Sequence, residues 1–310
     1  MSTALAREEL QRAAVGRPTA LTLGIFDGVH RGHQALMDRV IESAARFGLA
    51  SGVVTLHPHP RQVINPAIKI DYITSLEDRL GLLRALGLQC VSPVTFTSEL
   101  AQTDAASFVQ LLVDHLQLQH LVIGPDFALG RKRGGNPQAL SALGDQLGFT
   151  VEVIELLEAA DAKVSSTDIR EALAAGAIDR VNELLGRRFS LHGPVVRGAE
   201  RGRTIGFPTA NIAVGADRAL PATGVYATVA HVAETRLSSV TNIGVRPTFD
   251  DGTAVTVESH IFDFDADIYE QDIRIDFAAR LRGERKFSGV DELVSQMQRD
   301  SDAARQVLSE

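Results

Sequence analysis

Tryptophan is missing from this 310-residue chain, and cysteine occurs once, as Cys90. A lone thiol excludes an internal disulfide framework and fits a reducing compartment, so a cytoplasmic location is expected. Cys90 lies in "LQCVSPVTF", a strand-like run where a buried thiol packs rather than attacks. No apolar run reaches the roughly 18 residues a membrane helix needs. The opening "MSTALAREELQRAAVG" carries no apolar core of signal-peptide length. Cationic excess is lacking too: 31 Lys and Arg against 39 Asp and Glu leave a net charge of −8. That argues against nucleic acid as a partner, which would need a broad basic surface. Small anions held by a few local cations remain open. Neither a membrane nor a nucleic acid is expected as partner, and the pattern leaves the oligomeric state open.

What is present reads as two regions. The first alternates short β-rich runs (20–26, 51–57, 88–96, 120–127 and 150–156) with stretches of helical period. Leu36, Met37, Val40, Ile41 and Ala44 make one helical stripe within 33–47, and 76–86 and 104–116 repeat the pattern. Strand–helix alternation predicts a parallel sheet covered by helices, with ligands beyond the carboxyl ends of the strands. A helix is expected from near Ser165, and a shorter one ends at Gly186, a natural left-handed stop. After Arg187 the segments turn strand-like, predicting a small antiparallel barrel or sandwich, followed by a helix from about Val290 with Ser288 and Asp291 as a capping box. Val290, Leu293, Val294, Met297, Val307 and Leu308 are its expected apolar positions. The boundary falls at 186/187, giving domains 1–186 and 187–310.

"GIFDGVHRGH" (24–33) stands at a strand-to-helix corner. Gly24 and Gly28 permit tight turns, and the helix start offers free N–H groups to an anion. His30 and His33 flank Gly32 and could stabilise charge developing on phosphate. Taken alone, the motif reads equally well as a polar turn. "KVSSTDIR" (163–170) tips the balance, with Ser165, Ser166 and Thr167 at a second helix start and Arg170 one turn on. In the β-rich half, "RGAERGRTIGFPTANI" (197–212) is rich in glycine and arginine and includes Gly206, yet no Walker A sequence occurs in the chain. Thr209 and Asn211 alternate onto one strand face as neutral oxygen donors suited to Mg²⁺, or as a polar strand edge. Glu258 shares a parity with Thr256 and His260, either as a pocket base or as a solvated residue.

"GIFDGVHRGH" with "VSSTDIR", "VVTLHPHP" (53–60) and "VIGPDFALG" (122–130) resembles the FMN adenylyltransferase module of bacterial bifunctional riboflavin kinase/FAD synthetases. "RGRTIGFPTANI", "GVYA" (224–227), "NIGVRPTF" (242–249), "VESHIFDF" (257–264) and "RLRGERKF" (280–287) resemble the kinase domain of the same family, in collinear order. The resemblance implies an H-x-G-H nucleotidyltransferase fold of Rossmann-like parallel type, followed by a small antiparallel β-barrel and a C-terminal helix. It implies two reactions: riboflavin plus ATP to FMN, then FMN plus ATP to FAD and pyrophosphate, with Mg²⁺ accompanying ATP. It assigns His30 and His33 to the adenylyl-transfer step. Gly24, Phe26, Asp27, Gly28, Ser165, Ser166, Thr167, Arg170 and Gly206 would bind ATP phosphates. Asp126, Phe127, Arg282 and Phe287 would line flavin pockets, Thr209 and Asn211 would hold Mg²⁺–ATP, and Glu258 would be the kinase base. Three positions depart from the family pattern: Lys163 for arginine, Leu56 for phenylalanine and His57 for an acidic residue. Lys163 and Leu56 frame the alternative, a riboflavin kinase with a weakened adenylyltransferase module.

Overall fold

The computed structural model describes residues 3–154, 164–198, 202, 205–247 and 253–309. Its contacts divide the chain into two compact units, Met1–Ser166 and Thr167–Glu310.

The first unit is built on five strands: β1 (Thr19–Gly24), β2 (Ala50–His57), β3 (Cys90–Thr95), β4 (Leu118–Ile123) and β5 (Thr150–Val153). All pair in parallel, in the order β3-β2-β1-β4-β5. The chain winds outward from β1 through β2 to β3, then crosses to the other side of β1 for β4. Such a reversal leaves a crevice at the carboxyl ends of β1 and β4. The residue that ends β1 is Gly24.

Alternation along the strands feeds two cores. Leu21, Leu23, Val54, Leu121 and Ile123 face one cluster, which takes in α1 (Ala4–Ala13), α5 (Ala105–Leu116) and α6 (Pro137–Leu147). Val53 and Val122 face the other, with Met37 and Val40 of α2 (Arg31–Phe47) and Leu83 of α4 (Leu76–Ala85). Leu56 packs against the first cluster. Helix starts are locally encoded: Ser75 caps α4, Asp104 caps α5, and Asn136 caps α6 with proline at its first turn. A short α3 (Pro60–Ile64) is capped by His59. Helix α1 is pinned by Glu9, whose carboxylate accepts from Thr95 N at 2.8 Å and Thr95 Oγ1 at 2.6 Å.

The second unit opens with α7 (Ser166–Ala175), whose first residue still belongs to the first unit, and α8 (Ile178–Leu185), which stops at Gly186 in the left-handed conformation. Six strands follow: β6 (Phe189–Val196), β7 (Ala210–Ile212), β8 (Gly224–Val232), β9 (Thr235–Pro247), β10 (Thr253–Ile261) and β11 (Asp272–Arg282). They close into an antiparallel barrel in the order β10-β7-β6-β11-β8-β9. Asn182 of α8 bonds the barrel at both ends of its amide, donating to Phe277 O and accepting from Phe189 N. Inside the barrel, four fully buried hydroxyls form a chain. Thr228 Oγ1 lies 2.8 Å from Ser239 Oγ and 2.7 Å from Thr241 Oγ1, and Thr241 donates to Ser259 Oγ at 3.0 Å.

Helix α9 (Val290–Ser309) closes the chain, placing Ala304 fully buried beside Ala227 and Phe262, with Val307 and Leu308 packed around them. Val290, expected on the apolar face, is 59 % exposed at the helix start. The capping partner of Ser288 is Glu292, not Asp291: its carboxylate accepts from Ser288 N at 2.9 Å and Ser288 Oγ at 2.8 Å. The helix begins at Val290, so its third position is Glu292, from which a carboxylate reaches back.

Candidate active sites

In the first unit, the turn between β1 and α2 has an unusual backbone. Phe26, Gly28 and Val29 all have positive φ, at 53°, 84° and 41°. For a β-branched valine this is a costly conformation, of order 1–3 kcal/mol, which surrounding contacts must hold. Those contacts are buried and polar. The Asp27 carboxylate, 2 % exposed, accepts from Ile73 N and Thr74 N, both at 3.1 Å, and from Thr74 Oγ1 at 3.2 Å. Thr74 Oγ1 in turn accepts from Gly28 N at 3.1 Å. Arg79 of α4, fully buried, reaches Asp27 at 3.7 Å and donates to Ile25 O at 2.9 Å. Ser166 Oγ donates to Asp27 O at 3.0 Å, tying the start of α7 to the same turn.

The turn delivers His30 to the cap of α2, where its Nδ1 accepts from His33 N at 3.4 Å. An accepting Nδ1 leaves the imidazole proton on Nε2. The His30 and His33 rings stack with centroids 3.6 Å apart and planes 20° from parallel. Phe26 meets His33 edge-on at 5.2 Å. A Cβ at Gly32 would press on the His30 ring at 3.3 Å and meet Val164 O at an ordinary 3.6 Å. Burial, then the neighbouring His30 and Arg79 charges, hold the His33 pKa well below its usual 6.5. His33 is therefore a neutral imidazole, a hydrogen-bonding group rather than a cation. Its Nδ1 is buried and makes no hydrogen bond among the described residues.

Ser165 and Ser166 belong to this unit with the histidines, while Thr167 and Arg170 lie on α7 in the second unit. Thr167 is exposed and Arg170 half-buried. Asp126 and Phe127 follow β4 in a turn closed by Phe127 N to Gly124 O at 3.2 Å. The Phe127 ring packs against the first core cluster, whereas Asp126 is exposed and its carbonyl accepts from Arg133 at 3.2 Å. Lys163 lies outside the described residues, as do Arg201 and Arg203 of the glycine-rich loop.

In the second unit, a cavity of about 620 Å³ is walled by barrel strands and by Leu293, Met297, Asp300 and Ser301 of α9. Thr209, Glu258, Arg282 and Phe287 all line it. Register places Glu258 directly opposite Asn211 on one side and Asn242 on the other. Val257, Ser259 and Ile261 point into the barrel, which turns Glu258 and His260 to the cavity. His260 Nδ1 donates to Pro208 O at 2.7 Å, so the strand carrying Glu258 also fixes the turn before Thr209. Asn211 packs on Gly198, where an added Cβ would collide with its amide. Gly206 has a φ of 86° and leaves open space at its Cα. Arg282 is clamped to Asp300 by Nε at 3.0 Å and Nη2 at 2.7 Å, and its guanidinium lies 5.8 Å from the Phe287 ring. Sequence reading passed over Arg79, Asn242, His260 and Asp300. Asn242 and His260 lie inside motifs quoted for the resemblance, but Arg79 and Asp300 carry no local signal.

The family model described as FAD synthetase matches residues 13–168, and that described as riboflavin kinase matches residues 185–308. A bifunctional riboflavin kinase/FMN adenylyltransferase from Listeria monocytogenes is 38 % identical over 287 residues, covering 92 % of this chain and 91 % of its own. The Bacillus subtilis protein so named is 37 % identical, covering 94 % and 93 %. The Escherichia coli K12 protein is 36 % identical, covering 92 % and 91 %. A crystallised Streptococcus pneumoniae chain, described as a macrolide-efflux protein, superposes with a TM-score of 0.85 at 29 % identity, covering 95 % of this chain and 96 % of its own. Among the described residues here, no helix is long and apolar enough to cross a membrane.

Proposed function

Because the chain belongs to the bifunctional riboflavin kinase/FMN adenylyltransferase family, we propose that it makes FAD in two ATP-dependent steps, the kinase step in 187–310 and the adenylyl transfer in 1–186. The observation that carries this assignment is the pairing of two unlike sites. One is a stacked imidazole pair with a neutral His33, at a helix start over a sheet reversal, and the other a carboxylate facing a cavity.

In the kinase step, Glu258 accepts the proton of the riboflavin 5′-hydroxyl as that oxygen attacks the γ-phosphorus of ATP, and ADP leaves. The apolar wall of the cavity, with Val225, Val240 and Met297, suits a flavin ring, and Phe287 with Arg282 closes one side. In the adenylyl step, an FMN phosphate oxygen attacks the α-phosphorus of ATP and the bond to pyrophosphate breaks. Here His30 Nε2–H and the α2 amides donate to phosphate oxygens. The hydroxyls of Ser165, Ser166 and Thr167 and the Arg170 cation are assigned to the same phosphates, and the Gly24–Gly28 turn to the nucleotide. Neutral His33 contributes hydrogen bonding rather than charge. Asp126 and Phe127 are assigned to the flavin side of this site. Thr209 and Asn211 fit Mg²⁺ arriving with ATP, as neutral oxygens that leave the phosphates to supply the negative charge. That ion, when bound, would neutralise phosphate charge during transfer. The buried free thiol of Cys90 fits a reducing, cytoplasmic setting.

The test is product analysis with the full chain. Riboflavin, ATP and Mg²⁺ should give FMN and then FAD. Glu258→Gln should lower FMN formation by about 10²–10⁴-fold and leave FAD formation from supplied FMN intact. His30→Ala should do the reverse. FMN without FAD from the unaltered chain would favour the kinase-only alternative. Loss of both activities from either folded variant would sink the division of labour.

A further inference from the structure

A fully buried cation lies beneath the His30–His33 site with no contact to solvent. Arg79 is 0 % exposed, so no ligand can reach it without unfolding the turn above. Its guanidinium touches that turn at two points, the Asp27 carboxylate and the Ile25 carbonyl. Ile25 O also accepts from Thr55 Oγ1 at 2.8 Å, and the Arg79 guanidinium stands 5.6 Å from the Tyr72 ring. The fork therefore grips the backbone just before Phe26 and the side chain just after it. These residues border the positive-φ segment that aims Phe26 at His33 and sets His30 on the helix cap.

We propose that Arg79 is a positioning residue for adenylyl transfer: by bridging Ile25 O and Asp27 it holds the Phe26–Val29 turn, and through it the stacked His30–His33 pair, in working geometry. The inference rests on the assignment of adenylyl transfer to that pair. Arg79 is the only cation to which the fold gives this bridge among the described residues, and lysine cannot replace it, since one ammonium cannot span both acceptors as a planar fork does. The charged groups acting on His33 are His30, which caps its helix, and Arg79 on α4, while the Asp27 carboxylate faces Arg79. Arg79 is also one of the two charges that disfavour protonation of His33.

Arg79→Met, Arg79→Lys and the neutral double variant Asp27→Asn/Arg79→Met separate this role from simple charge balance. FAD formation from FMN is assayed in the full chain, with riboflavin phosphorylation as the internal measure of intact protein. His33 is followed by ¹⁵N–¹H NMR of its ring. Arg79→Met should lower kcat for adenylyl transfer by roughly 10²-fold, the size of effect a 1 Å misplacement produces, with KM for FMN and ATP nearly unchanged. The His33 titration should move upward, and Arg79→Lys should restore that titration more fully than the rate. The double variant should stay slow. Full recovery in the double variant would overturn the proposal, because Arg79 would then serve only to neutralise Asp27. So would a wild-type kcat and unmoved His33 titration in Arg79→Met, or a loss confined to KM. Absence of FAD formation in the unaltered chain would instead refute the functional assignment, and is read before any variant.

Discussion

His30 and His33 lie ring on ring, 3.6 Å between centroids, at the first turn of α2. Two imidazolium ions cannot share that spacing, and His33, desolvated and beside the His30 and Arg79 charges, is held neutral. Unfolded, His33 takes a proton near its usual 6.5, whereas folded it does so only at a much lower pH. Between those two values the unfolded chain binds more protons, so His33 makes stability fall as pH falls below about 6.5 and adds no slope above it. Replacing His33 with Asn should therefore flatten the acid side of the first unit's stability curve, by up to about 1.4 kcal/mol per pH unit. Urea unfolding at a series of pH values measures it. An unchanged acid slope would mean His33 titrates normally.

Gly24 leaves room that the Phe26 ring fills. A Cβ added there would sit 2.6 Å from Phe26 Cζ, so the ring must swing away from His33. Gly24→Ala should slow FAD formation by about 10–100-fold while riboflavin phosphorylation continues at its normal rate. Parallel assays of both products decide it, and an unaffected FAD rate would show that Phe26 does not orient His33.

The clamp between Arg282 and Asp300 ties β11 to α9 across the wall of the second unit's cavity. Asp300→Ala leaves a guanidinium, only 21 % exposed, without its carboxylate. A loss of about 3 kcal/mol is expected, at the low end for a broken buried pair because Arg282 keeps some solvent. Gln296 Nε2 loses its bond to Asp300 as well. Denaturation followed by kinase activity should report the loss, with FAD formation from FMN surviving to higher denaturant.

Cys90 is 1 % exposed, its thiol donates to Ala13 O at 3.3 Å, and burial pushes its pKa up to about 11. Alkylation at about pH 8 should run at least a hundredfold slower than in unfolded chain, since it must await opening of the sheet. Mass spectrometry of iodoacetamide-treated protein, with and without urea, gives the ratio. Rapid native labelling would place the thiol outside the core.

Local pattern carried much of this architecture. The five apolar runs became β1 to β5 because each is short and carries β-branched residues, and three meet a breaker: Gly24 ends β1, Pro58 follows β2 and Gly124-Pro125 follows β4. The corner at Gly24 and the polarity of Glu258 were legible for the same reason: period and turn chemistry act within a few residues. Helix α1 escaped, since it buries only Ala6 and Leu10 and is fixed by Glu9 bonding a strand far along the chain. Helix α6 was overlooked although Asn136-Pro137 is a readable start. Arg79 and Asp300 were invisible because only the fold brings each to its partner. An arginine in "LEDRLGLL" reads as a solvated helix face until the tertiary structure buries it against Asp27.

The hydroxyl chain through Thr228, Ser239, Thr241 and Ser259 ties the ancestry of four positions together. Changing one of them to an alkyl group strands its neighbours' hydroxyls in a dry interior, at about 1–3 kcal/mol, whereas exchanging all of them for alkyl groups of matching shape costs little. Mutation proceeds one codon at a time, so the barrel's lineage meets a barrier between two equally stable interiors. The four should be inherited as a block, drifting between serine and threonine far more readily than toward valine.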